Sequence, residues 1–203
     1  TDEAIALIRQ NKDDPFFFYF PHYAVHSPLQ AKKEMIARYE AIPEEERQGH
    51  PAYAAMVESV DQSVGRVMET LSELGLEDNT MVIVTSDNGG LWKATDHTPL
   101  RANKGSHYEG GIRVPMIIKA PGTSKQGSAN SVPVITNDLY PTILDMAGLS
   151  MRPHQHQDGV SLSALLDGGK SLDREDLFWH YPHYNQHPHS APVSIIRRGS
   201  WKL

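Results

Sequence analysis

The run Val82-Ile83-Val84-Thr85-Ser86-Asp87-Asn88-Gly89-Gly90 constrains this chain most, because it carries a β-branched apolar stretch straight into an acid, an amide and two glycines. Such a stretch, stopped at a Gly-rich turn, suits a buried parallel strand, and in open α/β sheets ligands gather at the carboxyl ends of parallel strands. Asp87 and Asn88 offer hard oxygens of the kind that Ca²⁺ or Mg²⁺ takes, and the glycines let backbone and ligand approach closely. The same Asp-Asn-Gly sequence also closes ordinary turns, its commoner use. The motif therefore needs company before it implies a site.

The flanking pattern predicts an α/β fold with a mostly parallel sheet covered by helices. Ala4 to Ile8 reads as the end of a helix, and Asn11-Lys12-Asp13-Asp14-Pro15 breaks it before an apolar strand from Phe16 to Phe20. From Pro51 onward Tyr53, Met56, Val57, Val60, Val64, Val67, Met68, Leu71 and Leu74 recur at helical spacing, and Gly75 follows as a stop. With the strand Thr80 to Thr85 this gives a strand-helix-strand unit, expected to be right-handed. Val114 to Ala120 reads as a further buried strand. Asn137 to Ala147 reads as a helix capped by Asn137 and ended by Gly148.

A chain of 203 residues is long enough for one sizeable domain, and its 39% hydrophobic content is compatible with a packed core. A formal charge of -6 argues against nucleic acid as the main partner, since phosphate backbones demand a basic surface. Between Trp92 and Arg113, however, the cations Lys93, Arg101, Lys104 and Arg113 outnumber the acids Asp96 and Glu109, so an anionic small molecule fits locally. The chain has no cysteine and hence no disulfide framework. No apolar run approaches the roughly 20 residues of a membrane span, and Thr1-Asp2-Glu3 does not read as a signal peptide.

Two further blocks stand beside the strand-end motif: Pro15-Phe16-Phe17-Phe18-Tyr19-Phe20 followed by Ala24-Val25-His26-Ser27-Pro28, and Pro99-Leu100-Arg101-Ala102-Asn103-Lys104-Gly105-Ser106-His107-Tyr108-Glu109-Gly110-Gly111-Ile112-Arg113-Val114-Pro115. In this order the three blocks resemble the type I sulfatases of the alkaline phosphatase superfamily, from about Pro15 to the end of the chain. The resemblance implies an alkaline phosphatase-like α/β fold and hydrolysis of sulfate esters, expected on a carbohydrate. It implies Asp87 and Asn88 as ligands of a divalent cation, Ca²⁺ before Mg²⁺. It makes Lys104 the group that contacts the sulfate and its leaving oxygen, and His26 the group that hydrogen-bonds the sulfate and protonates the leaving alcohol. His22 is the alternative to His26, and His22, His97 and Arg101 are expected to touch substrate. Glu109 and Arg113, four residues apart, are expected to brace the Lys104 loop if that stretch is helical. Members of this family are expected in the periplasm or outside the cell.

The resemblance also has gaps. The family's nucleophile is a formylglycine made from the first residue of a Cys/Ser-x-Pro-x-Arg motif, and no such motif occurs in this chain. The family's early acidic metal pair and its Gly-Lys-x-x-His block are missing too. The expectation is a partial catalytic domain over residues 1–203, with 193–203 leading towards a small C-terminal subdomain and an N-terminal portion needed to complete the site. Two alternatives remain: a phosphonate monoester hydrolase or phosphodiesterase of the same superfamily, and a non-catalytic fragment that binds sulfated glycans.

His154, His156, His180, His183, His187 and His189 crowd the last third. Clustered histidines invite a zinc reading, but the spacing fits no zinc template. Pro153, Pro182, Pro188 and Pro192 predict a loop, and His180 and His183 are expected to line a sugar pocket within it.

Overall fold

A computed structural model describes residues 1–187 and 190–203. The chain divides into two compact units. The first comprises residues 1–80, 86–115 and His187; the second comprises 81–85, 116–186 and 190–203.

The first unit is built on the helix α3, Pro51–Glu73. Pro51 presets the backbone at the first helical position, and the His50 ring nitrogen accepts a hydrogen bond from Ala52 N at 3.2 Å in place of the usual hydroxyl or carboxylate cap. At the other end Leu76 N reaches back to Leu71 O at 2.8 Å, a Schellman-type closure around Gly75. Ala52, Ala55, Met56, Ser63, Thr70 and Leu71 form its buried stripe. Two shorter helices pack on it: α1, Asp2–Gln10, through Ala4 and Ile8, and α2, Lys33–Glu40, through Met35. Ser59 Oγ meets Met35 Sδ at 3.7 Å. The exposed pairs Arg66–Asp2, Arg9–Glu73 and Arg38–Glu58 link the same helices.

The second unit holds two small sheets. Strand β1, Val82–Thr85, pairs with β2, Met116–Lys119, and Val82 stands opposite Lys119 while Thr85 stands opposite Met116. Helix α5, Leu139–Met146, and the single turn α6, Ser163–Leu166, follow. The three-stranded sheet is β3, Asp176–Tyr181, then β4, Val193–Arg198, then β5, Trp201–Lys202.

Every strand pair among the described residues is antiparallel, which corrects the expectation of a mostly parallel sheet. A continuous apolar run reports burial but not the direction of its neighbour, and residues 86–115 return the chain beside β1 without a crossover helix. Phe16 to Phe20 is not a strand: it runs extended with no ladder, and Phe17 and Tyr19 are 73% and 76% exposed. Its aromatic alternation is nonetheless that of a strand, since Phe18, Phe20 and His22 stack along one side with ring centroids 5.5 and 4.3 Å apart. Without that strand the predicted strand-helix-strand unit does not form among the described residues. β2 is half-buried rather than buried, with Ile117 67% exposed. The predicted loop around the C-terminal histidines is also revised, because Trp179 and His180 lie on β3.

Candidate active site around the Asn88 turn and Lys104

The acidic turn after β1 sits against two glycine-rich segments of the first unit. Gly89 N donates to Gly111 O at 2.9 Å, and Lys104 N donates to Gly90 O at 3.0 Å. A Cβ on Gly89 would lie 1.9 Å from the carbonyl oxygen of Gly110, so backbone stacks on backbone there and no side chain fits. Arg101 O accepts from Gly110 N at 2.8 Å, and the Arg101 guanidinium covers the Tyr108 ring at 3.8 Å. The one-turn helix α4, Glu109–Ile112, carries Glu109 but stops before Arg113, whose backbone is extended, so the helical spacing expected between the two is not met. Asp87, Asn88, His97, Arg101 and Lys104 are thus carried on segments tied to one another through the main chain.

Asp87 Oδ1 accepts from Asn88 N at 2.9 Å, and Asn88 Nδ2 donates to Gly89 O at 3.0 Å. These bonds aim the turn and leave Asp87 Oδ2 and Asn88 Oδ1 uncommitted. Two hard oxygens fit the chemistry of a divalent cation, though such a cation takes about six or more. Among the described residues, no group of three or more His, Cys, Asp or Glu is placed to hold a metal ion.

Lys104 is half-buried, and its ammonium has no hydrogen bond or ion pair among the described residues. In the same stretch of chain, the side-chain atoms His97 Nε2, Asn103 Oδ1 and Ser106 Oγ are buried with no partner among the described residues, Ser106 being only 2% exposed. A buried polar group left unpaired costs about 1–3 kcal/mol, so three of them between residues 97 and 106 mark a place that a polar ligand or water completes. Ala102, two residues before Lys104, is held in the left-handed region at φ 62°, a strain of the kind that collects at functional sites. Gly105 is left-handed at φ +87°, and its missing Cβ would meet the His187 side chain at 2.4 Å.

The remaining predicted residues lie elsewhere. His26 shares the first unit, with its ring edge-on to Tyr23 at a centroid distance of 5.8 Å. Its Nδ1 donates to Ser27 O at 2.9 Å, which leaves Nε2 as the other nitrogen of the ring. His22 Nε2 meets Ser63 Oγ of α3 at 2.9 Å, and burial lowers its pKa below the ordinary histidine value. In the second unit His180 Nδ1 meets Ser194 Oγ at 2.9 Å across the β3–β4 pair, and the His183 ring stands edge-on to Tyr181. His156 Nε2 accepts from Arg152 N at 3.2 Å. His189 and Pro188 lie outside the described residues. Asn103, Ser106 and the His187–Gly105 contact were not anticipated from the sequence, where the dense glycines at 105, 110 and 111 were their only signal.

The sulfatase family model matches residues 1–149, and the model described as N-sulphoglucosamine sulphohydrolase, C-terminal, matches residues 102–203. The chain belongs to the sulfatase family. It is 39% identical over 202 residues to a sulfatase of Formosa agariphila, covering 93% of this chain and 36% of that protein. It is 32% identical over 190 residues to the steryl-sulfatase of Rattus norvegicus, covering 89% of the chain and 31% of that enzyme. Among solved structures it resembles Ps i-CgsB in complex with k-i-k-neocarrahexaose, with TM-score 0.84 and 36% identity over 99% of this chain and 44% of that one. It also resembles the PsFucS1 sulfatase from Pseudoalteromonas sp., with TM-score 0.78 and 27% identity over 99% of the chain and 38% of that one. The sulfatase chain described here thus spans about a third of the length of the curated relatives it matches. Among its described residues no helix is long and apolar enough to cross a membrane.

Proposed function

We propose that this chain supplies the leaving-group side and two metal ligands of a carbohydrate sulfatase. The observation that carries this reading is the half-buried, unpartnered Lys104, fastened through Gly90 to the Asp87-Asn88 turn. An anion is a natural completion of such a site, because a half-buried cation is offset most directly by an opposite charge, and the Ser106 hydroxyl in the same stretch can donate to it. The sulfated-carbohydrate class draws support from the neocarrahexaose complex of one relative.

In a sulfate ester ROSO₃⁻ the S–O bond to the alcohol breaks, and negative charge builds on the leaving oxygen. The Lys104 ammonium stabilises that charge. His26 Nε2, aimed by the Ser27 carbonyl, delivers the proton that completes ROH. Asp87 Oδ2 and Asn88 Oδ1 are the oxygens that would hold a divalent cation, Ca²⁺ or Mg²⁺, which when bound supplies positive charge for the sulfuryl oxygens. The oxygen nucleophile, a formylglycine by family resemblance, is proposed to come from outside these 203 residues. His97 and Arg101 border the anion, and His180 and His183 contribute to recognition of the alcohol. We read His22 as the anchor that ties the 22–26 loop to α3 through Ser63.

A phosphonate monoester hydrolase from Silicibacter pomeroyi also resembles the chain, with TM-score 0.55 and 27% identity over 75% of its length, so phosphonate esters are the second reading. Turnover of an aryl sulfate and an aryl phosphonate, assayed side by side on the intact enzyme that contains this chain, separates the two. The sulfate is expected to react faster; faster phosphonate turnover overturns the assignment. The 203 residues alone are expected to turn over neither.

A further inference from the structure

Beside the Asn88 turn, in the same unit, the chain forms an open cleft of about 490 Å³ that the chemistry above does not use. One wall is the stretch before α3, including Arg47, Gln48 and His50; the other is the stretch from Trp92 to Asp96. The two are clamped as a short antiparallel bridge, with His50 N donating to Ala94 O at 2.8 Å and Asp96 N donating to Gln48 O at 3.1 Å. Ala94 is 1% exposed, so the cleft has a packed floor. Its volume lies in the range of small-molecule sites, roughly 300–1,000 Å³.

The charged groups lining the cleft divide into committed and free ones. The Arg47 guanidinium is held by the carbonyl oxygens of Glu40 and Ile42 at 2.6 and 2.7 Å, and Asp96 Oδ1 accepts from the amide and hydroxyl of Thr98 at 3.0 and 2.8 Å. What remains available is the exposed carboxylate of Glu44, Trp92, 48% exposed, and Lys93, whose Nζ sits over the Trp92 ring at 5.0 Å with no acidic partner among the described residues. His50 adds a donor, because its Nδ1 accepts from Ala52 N and its proton therefore rests on Nε2. Gln48 adds an uncommitted amide. An exposed aromatic ring beside free donors, a carboxylate that can accept from hydroxyls and one cation is the chemistry that recognises a polyhydroxylated ring, with Lys93 at the Trp92 side the group suited to an anionic ester on it. Trp92 lies four positions after Asn88, a Cα separation of at most ~14 Å, so one oligosaccharide can reach both places.

We propose that this cleft is a saccharide subsite, taking a ring of a sulfated oligosaccharide next to the one that is cleaved: Trp92 packs against the ring, Lys93 pairs with its sulfate, and His50 and Gln48 bind its hydroxyls. The inference rests on the sulfated-carbohydrate reading above and adds a second anchoring point to it. The test is calorimetric titration of the 203-residue chain with a sulfated galactan hexasaccharide and with the desulfated hexasaccharide. Trp92→Ala is expected to weaken binding of the sulfated probe about tenfold or more, the scale of an aromatic anchor. Lys93→Gln, which leaves the aromatic wall intact, is expected to weaken it about threefold, as loss of an exposed charge contact does, and to erase preference over the desulfated probe. Binding of the sulfated probe by Trp92→Ala within twofold of the unsubstituted chain overturns the subsite, as does failure of the unsubstituted chain to bind either probe. Aryl sulfate turnover by the intact enzyme is the separate arm. Its loss with Trp92-dependent binding preserved sinks the activity and spares the subsite; its presence with Trp92-independent binding does the reverse.

Discussion

Two buried polar centres, one in each unit, are built on opposite principles. In the second unit Asp138 is fully buried, and its carboxylate accepts from Ile135 N at 2.9 Å, Val160 N at 3.0 Å and both terminal nitrogens of Arg174 at 2.6 and 2.8 Å. Its backbone carbonyl accepts from Thr142 Oγ1, which in turn accepts from Leu162 N. In the first unit the loop around Lys104 buries His97 Nε2, Asn103 Oδ1 and Ser106 Oγ with no partner among the described residues. Closed networks hold a fold; open ones spend stability on readiness to bind. The contrast separates the centre that secures the second unit from the one that awaits a ligand.

The largest effect tests the closed centre. Asp138→Ala leaves Arg174, whose side chain is only 12% exposed, without a counter-charge, and strands two backbone amides. Removing one partner of a buried pair costs about 3–5 kcal/mol, whereas replacing both by apolar groups of similar volume can be nearly neutral. Urea unfolding of the chain should therefore show a large loss for Asp138→Ala and partial recovery on adding Arg174→Met. A loss below about 1 kcal/mol removes Asp138 from its central place.

Next in size is the open centre. In the intact enzyme, Lys104→Ala is expected to lower aryl sulfate turnover about 10²–10³-fold, the usual consequence of deleting one electrostatic contact to a developing oxyanion. Lys125→Ala, in an exposed loop, is the control and should leave kinetics unchanged. Because the Lys104 ammonium has no partner among the described residues, its removal should also leave stability within about 0.5 kcal/mol. Normal turnover by a folded Lys104→Ala enzyme detaches this loop from the sulfate site.

The same contrast explains what could be read from the sequence. Helix α3 was legible because its apolar spacing, Pro51 and Gly75 all lie within one segment. The blocks bearing Asp87, Asn88 and Lys104 were legible because family likeness is also local in sequence. The Asp138 centre was not: Asn137 looked like the cap, but the structure makes residues 136–138 a 3₁₀ turn whose Asp138 side chain reaches back to Ile135 N, ahead of α5. Its partners Val160 and Arg174 are 22 and 36 residues away, and no periodicity signals them. Strand direction was lost for a similar reason, since Val82 to Thr85 carries no record of whether Met116 to Lys119 runs with it or against it.

Between these lies the backbone clamp. Gly89→Ala would drive a methyl to 1.9 Å from Gly110 O, an atom of the main chain that cannot swing away. Overpacking of this kind costs about 1–3 kcal/mol, and the shift would be passed to Lys104 through the Lys104 N–Gly90 O bond. Both lower stability and reduced turnover are expected; a fully stable and active Gly89→Ala enzyme means that the three segments are not tightly coupled.

The smallest effect concerns His22, which lies outside both centres and shows how a half-buried, singly bonded group behaves. Burial lowers its pKa in the folded chain, so the unfolded chain, with a histidine near the ordinary 6.5, binds the proton more readily. The resulting stability is present above pH 6.5 and is lost as pH falls through that value and towards the lower folded pKa. Asp2, Asp96, Asp145 and Asp176 also titrate abnormally, but their carboxyls are held below the usual carboxylate range by hydrogen bonds, so they act at lower pH. His22→Gln retains a hydrogen-bonding group for Ser63 Oγ and removes the titration. Urea midpoints compared at pH 7.5 and pH 5.5 should therefore fall further for the unsubstituted chain than for His22→Gln. Equal falls would mean that His22 is as solvated as the other loop histidines, and the Ser63 contact would then no longer serve as the anchor of the 22–26 loop.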